Sequence, residues 1–385
     1  SNERGSKMKK LFSISLIILL LAATSTVFAA SARWNALGGE HRFMIDTSNY
    51  AIYPGRMLMF SNALWIIPNI PAGAGIPDNM MSGLLVKKDD CAWAIHYNLP
   101  GTGGFSALRA ALPTAGGNLP GLAGNLRPIP DIFLAKKVGD MTVGGRAVLG
   151  LAGSENALEK AASAMSVDVA AGVTKPIALG DVDLGARVSM ATFSDDATNI
   201  ESTGGIGLNV DARLIMDKGE GKKLIPVLGV HYSTDPVRDG ADEVSAMGVN
   251  IGCGVNKRGA NKSMLVTGVV LDVDMETTSF AAAGVDDETV TTMEFTYLGG
   301  YEKPLNSWLT GRGGASATLT MVSGDDPLQN GKRAAFRYNF GVRATYKKVL
   351  VDLLLSQDLL HRGPYVLSGA AWANLATNVC LTYLF

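Results

Sequence analysis

The chain has 385 residues, of which 47% are apolar and 18% charged, and a formal net charge of −1. This balance excludes intrinsic disorder, which needs low hydrophobicity and high net charge, and gives no basic field for nucleic acid. Three cysteines exclude a dense disulfide scaffold, whereas 45 glycines, about 12% of the chain, and sparse charge keep a membrane β-barrel in contention.

Residues Met8 to Ala30 have the parts of a secretory leader. Lys9 and Lys10 precede the apolar run Leu11–Leu21, and Val27-Phe28-Ala29 puts small residues at the cleavage positions. The apolar run is short for the roughly 20 residues of a spanning helix. Residues 1–30 are therefore expected to be an extension and signal peptide, cleaved after Ala29, Ala30 or Ala32. No cysteine follows that would make a lipoprotein. No later window approaches 18 consecutive apolar residues, so a spanning helix is not expected downstream.

From about Asp140 onward, segments of alternating character recur. In Ile206–Leu214 the apolar set Ile206, Leu208, Val210, Ala212 and Leu214 opposes Gly207, Asn209, Asp211 and Arg213. Val182–Met190 and Phe336–Tyr346 divide in the same way. Val269, Leu271, Val273 and Met275 oppose Asp272, Asp274 and Glu276, and Met293, Phe295 and Tyr297 oppose Glu294 and Thr296. A period of two means strands. These strands are longer than the five or six residues usual in soluble sheets. Their polar face is rich in Gly, Ser, Thr and Asn rather than Lys and Glu, which suits a crowded lumen better than a solvated surface.

The fold expected is all-β: a transmembrane antiparallel up-and-down β-barrel of about 16 strands. The strands fall near 57–67, 80–87, 91–98, 129–136, 141–152, 163–174, 182–193, 204–216, 223–233, 244–256, 263–276, 289–301, 307–322, 334–346, 349–358 and 374–385. The alternative is 14 strands with residues 33–70 folded inward as a plug. Tight basic connections (Lys87-Lys88, Lys136-Lys137, Lys175-Pro176, Lys218 to Lys223, Lys257 to Lys262, Lys303-Pro304, Lys347-Lys348) alternate with longer acidic ones near 194–203, 234–243, 277–289 and 323–332. Outer-membrane barrels have short periplasmic turns and longer external loops, so the basic set is assigned to the periplasmic side.

By strand phase the lumen receives Asp168, Asp183, Arg187, Asp211, Arg213, Asp272, Asp274, Glu276, Glu294, Arg312, Arg337, Arg343 and Asp352. Opposed acids and arginines in a pore set ion preference. They could equally pair with each other and fill a small lumen. The stretch Pro100–Pro130, rich in Gly, Pro and Ala, reads as an external surface loop or as an inward constriction loop carrying Arg109 or Arg127.

Nothing points to catalysis, a metal or a cofactor. His41, His96, His231 and His361 have no ligand spacing, no Ser/His signature or phosphate loop is present, and Cys91, Cys253 and Cys380 are dispersed. An odd number of cysteines leaves at least one free.

Two stretches resemble known families. The last strand, Asn378-Val-Cys-Leu-Thr-Tyr-Leu-Phe385, places Val379, Leu381, Tyr383 and Phe385 on one face. It resembles the C-terminal assembly signal of bacterial outer-membrane proteins. That implies the outer membrane of a Gram-negative (diderm) bacterium as location, and its lipids and the barrel-assembly machinery as partners. Arg33-Trp-Asn-Ala-Leu-Gly-Gly39, Asp46-Thr-Ser-Asn49 and Tyr53-Pro-Gly55 resemble the R-x-x-x-LGG…D-x-x-N…NPA start of FadL-type and PorV-like barrels, with Tyr-Pro-Gly in place of Asn-Pro-Ala. In those families the segment precedes the first strand and packs into the lumen as a hatch. The division expected is 1–30 leader, 31–55 periplasmic or plug-like segment and 56–385 barrel. The polar lumen favours a porin-like channel for passive diffusion of small polar solutes or ions, a homo-oligomer (a trimer, by analogy with porins). The alternative is a FadL-type or PorV-like barrel carrying hydrophobic compounds or binding exported proteins.

Overall fold

The computed structural model describes residues 33, 36–37, 42–45, 47–67, 81–97, 127–128, 130–155, 161–195, 200–201, 204–235, 242–259, 261–280, 286–324, 330–355 and 376–385. The leader, His41, His361 and Arg109 lie outside them. Sixteen antiparallel strands form one closed sheet: β1 Ala63–Ile67, β2 Met81–Lys88, β3 Cys91–Tyr97, β4 Asp131–Val138, β5 Met141–Glu155, β6 Ala161–Ile177, β7 Gly180–Asp195, β8 Gly205–Asp217, β9 Lys222–Thr234, β10 Glu243–Arg258, β11 Met264–Ser279, β12 Glu288–Pro304, β13 Leu309–Gly324, β14 Gly331–Tyr346, β15 Val349–Leu355 and β16 Ala376–Leu384. Each strand pairs with the next. The ring shuts where β1 pairs with both β2 and β16, Leu64 lying opposite Tyr383 and Ile66 opposite Leu381. Closure satisfies the backbone edge that an open sheet would leave in lipid.

All sixteen expected strands are present. Arg127–Pro128, placed by sequence in the loop, instead forms a two-residue strand against Leu151 and Gly150, so its backbone joins the wall. Ile200–Glu201 similarly extends β8, pairing with Ser194 and Asp195 of β7. The first strand starts later than expected. Pro54–Met59 is a 3-10 helix, because Pro54 sits in its first turn with φ preset for a helix, and its side chains Arg56 and Met57 are buried rather than alternating in and out. Lys175-Pro176 and Lys303-Pro304, expected in turns, lie in the last residues of β6 and β12, where a proline costs few ladder bonds.

Strands β5 to β14 run 13 to 17 residues, beyond the ~9–11 that cross the hydrocarbon. Four of the tight hairpins have two-residue turns. In three of them the first central residue, Asp89 (φ 53), Gly139 (φ 63) or Lys347 (φ 53), takes the positive φ that matches a turn to strand twist. No helix among the described residues is long and apolar enough to cross a membrane, which says nothing about strands.

The outward phase is apolar on strand after strand: Leu208 and Val210; Leu228, Val230 and Tyr232; Met247, Val249 and Ile251; Met293, Phe295 and Tyr297 are all large and exposed. The inward phase carries the polar side chains. A soluble barrel would invert this, burying its apolar face. Here the apolar face has no protein over it, and hydrocarbon is the solvent that stabilises it.

Candidate functional site

The lumen is built in two levels. Its lower level, at the tight-turn end, is filled by the described residues of the chain's own N-terminal segment, 33, 36–37, 42–45 and 47–60. Leu37, Phe43, Met44, Tyr50, Tyr53, Met57 and Arg56 of this segment are almost completely buried. Burial of each apolar side chain is worth about 1.5–3 kcal/mol.

Two apolar clusters result. Leu37, Phe43 and Met44 pack with Ile215, Ile225, Val227, Met264, Val266, Val270 and Leu298 of β8 to β12. Tyr50, Met57 and Leu58 pack with Leu85, Ala92, Ala94, Phe133 and Ala135 of β2 to β4.

The segment fits because the wall beneath it lacks side chains. A Cβ added at Gly254 or Gly268 would strike the Phe43 ring; at Gly300, the Leu37 backbone; at Gly341, Ala36. On the other side, one at Gly144 or Gly172 would strike Pro54, and one at Gly185 the carbonyl of Ile52. These glycines sit in the polar phase of their strands, so they form a floor one side chain lower than the surrounding wall.

Polar contacts fix the segment on that floor. Arg213 of β8, with a fully buried side chain, donates from Nη1 to the carbonyls of Arg42 (2.9 Å) and Met44 (2.8 Å), and from Nη2 to Asn49 Oδ1 (3.2 Å). Its guanidinium lies 4.5 Å from the Tyr53 ring centroid, a cation–π arrangement. Its Nε donates to Asp183 (2.7 Å), which also accepts from Arg56 Nε (2.6 Å) and Thr174 Oγ1 (2.7 Å). One buried carboxylate thus ties a strand arginine to an arginine of the segment. Further along, Arg33 pairs with Glu302 (3.0 Å), Arg42 lies 3.6 Å from Asp272, and Asn256 Nδ2 donates to the Phe43 carbonyl (2.7 Å). Tyr50 is hydrogen-bonded to the buried His96 ring (2.5 Å) inside a cage formed with Phe60, Trp65 and Phe133. Burial raises both the Tyr50 and Tyr53 phenols above their ordinary range, so both stay neutral at physiological pH.

Wall-to-wall networks brace the same level. Asp131 accepts two bonds from Arg146 (2.8 and 2.9 Å), and Arg146 and Arg187 both approach Asp168 (3.6 and 2.6 Å). On the far side Glu302 accepts from Arg312 (2.6 Å), Arg312 also bonds Asp352, and Asp352 takes a bidentate pair from Arg343 (both 2.8 Å).

Above the segment the lumen is different. Asp211, Gly229, Asn250, Asp272, Glu294 and Thr320 are successive cross-strand partners on β8 to β13, and Arg333 of β14 continues the row, which leaves the segment's edge at Asp211 and Asp272 for the open lumen. Asp274 lies two residues further along β11 and meets His231 at 2.9 Å, and Glu294 accepts from Thr320 Oγ1 (2.9 Å). Glu276 and Arg337 are exposed. One wall is therefore acidic, and β14 presents Arg333 and Arg337 in its inward phase.

Of the thirteen side chains assigned to the lumen by phase, Asp168, Asp183, Arg187, Arg213, Arg312, Arg343 and Asp352 belong to the bracing networks. Asp272 meets Arg42 of the segment, Asp211 lies near its Tyr53, and Asp274, Glu276, Glu294 and Arg337 line the lumen beyond it. Sequence reasoning missed Arg56, Asn49, Arg146, Asp131 and Glu302. Asp131 begins its strand and Arg146 lies six residues into the next, Met141–Glu155, where alternation is weak. Arg56 is in a 3-10 turn, where a period of two does not apply.

The C-terminal strand seals the ring. Tyr383 and Phe385 point outward, about half-exposed, with rings 6.3 Å apart, and the Phe385 N–H donates to the Asn62 carbonyl at 3.3 Å. Trp308, Tyr301 and Tyr346 are exposed on the same rim, the placement of an interfacial aromatic girdle. A closed antiparallel barrel, apolar outside and polar inside, with short turns at one end, has one home.

The chain folds as a membrane-spanning β-barrel of the outer-membrane type.

No family model matches it, and no curated protein matches it. Solved structures similar to it include three at 6–9% identity. The FrpB iron transporter from Neisseria meningitidis has a TM-score of 0.41 at 6% identity, covering 81% of this chain and 63% of that one. CdiB from Escherichia coli has a TM-score of 0.46 at 9% identity, covering 84% and 62%. The toluene transporter TodX from Pseudomonas putida has a TM-score of 0.39 at 9% identity, covering 94% and 98%. The chain spans less than two thirds of FrpB and of CdiB. The assignment rests on the barrel's own closure and on its apolar exterior.

Proposed function

We propose that this barrel is a gated, non-enzymatic transport channel whose N-terminal segment closes the periplasmic end of the lumen. The observation that carries this reading is the burial of Leu37, Phe43, Tyr53 and Arg56 against the glycine floor and in the Arg213–Asp183–Arg56 clasp. A freely diffusing porin would leave that cross-section to water. The polar upper lumen, acidic on β8 to β12 and basic on β14, favours small polar solutes or ions as cargo.

One observation favours hydrophobic cargo, as in FadL-type barrels. The wall residues Ile215, Ile225, Val227, Val266 and Leu298, now covered by Phe43 and Met44, would form an apolar surface if the segment withdrew.

Planar-bilayer recording tests the gated reading. The intact mature chain should show no steady open conductance, and a variant lacking residues 36–58 should show a large, stable one. A steady open level in the intact chain, equal to that of the deletion, would refute gating. Reversal potentials of the open variant in asymmetric salt separate the cargo readings. Cation preference supports the polar pathway; permeation of apolar probes without ion selectivity supports the hydrophobic one.

A further inference from the structure

The tight-turn rim carries a group of cations that the barrel itself does not neutralise. Lys222 begins β9 and Lys257 ends the outward phase of β10, and the two are direct cross-strand partners. Both face outward, Lys222 in phase with the exposed Leu228 and Val230, and Lys257 in phase with Val249 and Ile251. Like charges placed opposite one another on an antiparallel pair are destabilising. Lys218 and Lys262 stand in the two adjoining turns.

The acids of this corner, Asp217 and Glu220, are outnumbered by Lys218, Lys222, Lys223, Lys257, Arg258 and Lys262, so it stays net positive. The lysine ion pair found among the described residues is on β6, Lys175 with Asp140 at 4.0 Å.

The corner is also rigid. Lys222 N–H donates to the Gly219 carbonyl (2.9 Å), Lys218 N–H to the Lys222 carbonyl (2.8 Å), and Arg258 N–H to the Gly221 carbonyl (2.9 Å), which ties the two turns together.

What lies above the lysines identifies the occupant. One outward step up the wall come Leu224 and Val255. Leu265, the direct partner of Lys257, and Tyr301, the partner of Leu265, continue the lysine row along the wall, and both are half-exposed. Cations and an interfacial phenol thus share one row at the rim, directly below lipid-facing aliphatic side chains, which matches the headgroup level and acyl chains of a phospholipid.

We propose that Lys222 and Lys257, assisted by Lys218 and Lys262, bind the headgroup of an anionic phospholipid in the leaflet at the tight-turn end. Continuity with the lipid-facing belt favours a lipid over a soluble acidic protein. An anionic phosphodiester between the two ammonium groups removes the cross-strand repulsion.

The test is native mass spectrometry of the folded chain released from detergent with added phosphatidylglycerol or phosphatidylethanolamine, for the natural sequence and the Lys222→Gln/Lys257→Gln double variant. The natural chain should retain phosphatidylglycerol in preference. The double variant should lose about 30-fold in affinity for it, at roughly fivefold per lysine near a membrane surface, while its heat-modifiable gel mobility stays unchanged. Lys136→Gln, on β4, should leave retention unaltered. Equal retention of the two lipids, undiminished retention by the double variant, or displacement of phosphatidylglycerol by millimolar inorganic phosphate would each overturn the proposal, the last pointing to a free-anion site.

Discussion

Replacing Asp183 with Asn is expected to destabilise the barrel by about 3–5 kcal/mol, the usual consequence of removing one partner from a buried ion pair. The carboxylate has no exposure and accepts from Arg56, Arg213 and Thr174 at 2.6–2.7 Å. Asn would leave two buried guanidinium groups with one counter-charge fewer and turn an NH2 donor toward other donors. The damage should spread to the N-terminal segment, because Arg213 also holds the carbonyls of Arg42 and Met44.

The midpoint of urea unfolding in detergent micelles, followed by heat-modifiable mobility, reads the stability. Limited proteolysis of residues 36–60 reads the segment. Asp181 is the internal control. It stands two residues away, faces the same Arg56 at 3.3 Å, and is 36% exposed, so Asp181→Asn should cost no more than about 1 kcal/mol. Equal effects of the two substitutions would remove the clasp from the account.

The second large effect concerns the glycine floor. Valine is a far better strand former than glycine, so in an empty lumen Gly254→Val should be neutral or stabilising. With the segment in place the sign reverses. A Cβ at 254 would strike the ring base and Cβ of Phe43, atoms that cannot swing aside. Overpacking of this kind costs about 1–3 kcal/mol, or else Phe43 leaves and the segment loosens. Combining Gly254→Val with Phe43→Ala should recover most of the loss, giving a coupling of more than about 1 kcal/mol between the two sites. Additive effects, or a stabilising Gly254→Val alone, would show that Phe43 does not rest there.

These two sites show what the sequence made legible and what it did not. Strand number, order and facing were readable, because a period of two is local and survives in strands as plain as Ile206–Leu214. The C-terminal aromatic alternation and the sidedness of turns were readable for the same reason. The lumen's partners were not, because pairing across a barrel depends on register between distant strands. Asp183 and Arg213 are visible as inward charges; that both converge on Arg56 is not. In the sequence the glycines stand out only as members of a small, polar strand face. Their shared phase, from Gly144 and Gly172 to Gly254, Gly268 and Gly300, is the signal that something lies against them. The LGG…Tyr-Pro-Gly resemblance named the segment that does. The 3-10 turn at Pro54–Met59 escaped because Arg56 and Met57 fit an alternating pattern until Pro54 is weighed as a helix starter.

The account stands on the N-terminal segment occupying the tight-turn end of the lumen, and proximity cross-linking in the membrane measures this directly. With Cys91, Cys253 and Cys380 replaced by serine, cysteines at 33 and 302 should be joined efficiently by a short bifunctional thiol reagent, since the Arg33 and Glu302 side chains meet at 3.0 Å across the lumen. The same residue-33 cysteine should fail to join one placed at exposed Leu319 on the lipid-facing side. Efficient 33–302 cross-linking in the native membrane is the result expected. Absence of that product, with residue 33 instead reacting freely with a bulky periplasmic maleimide, would contradict the account.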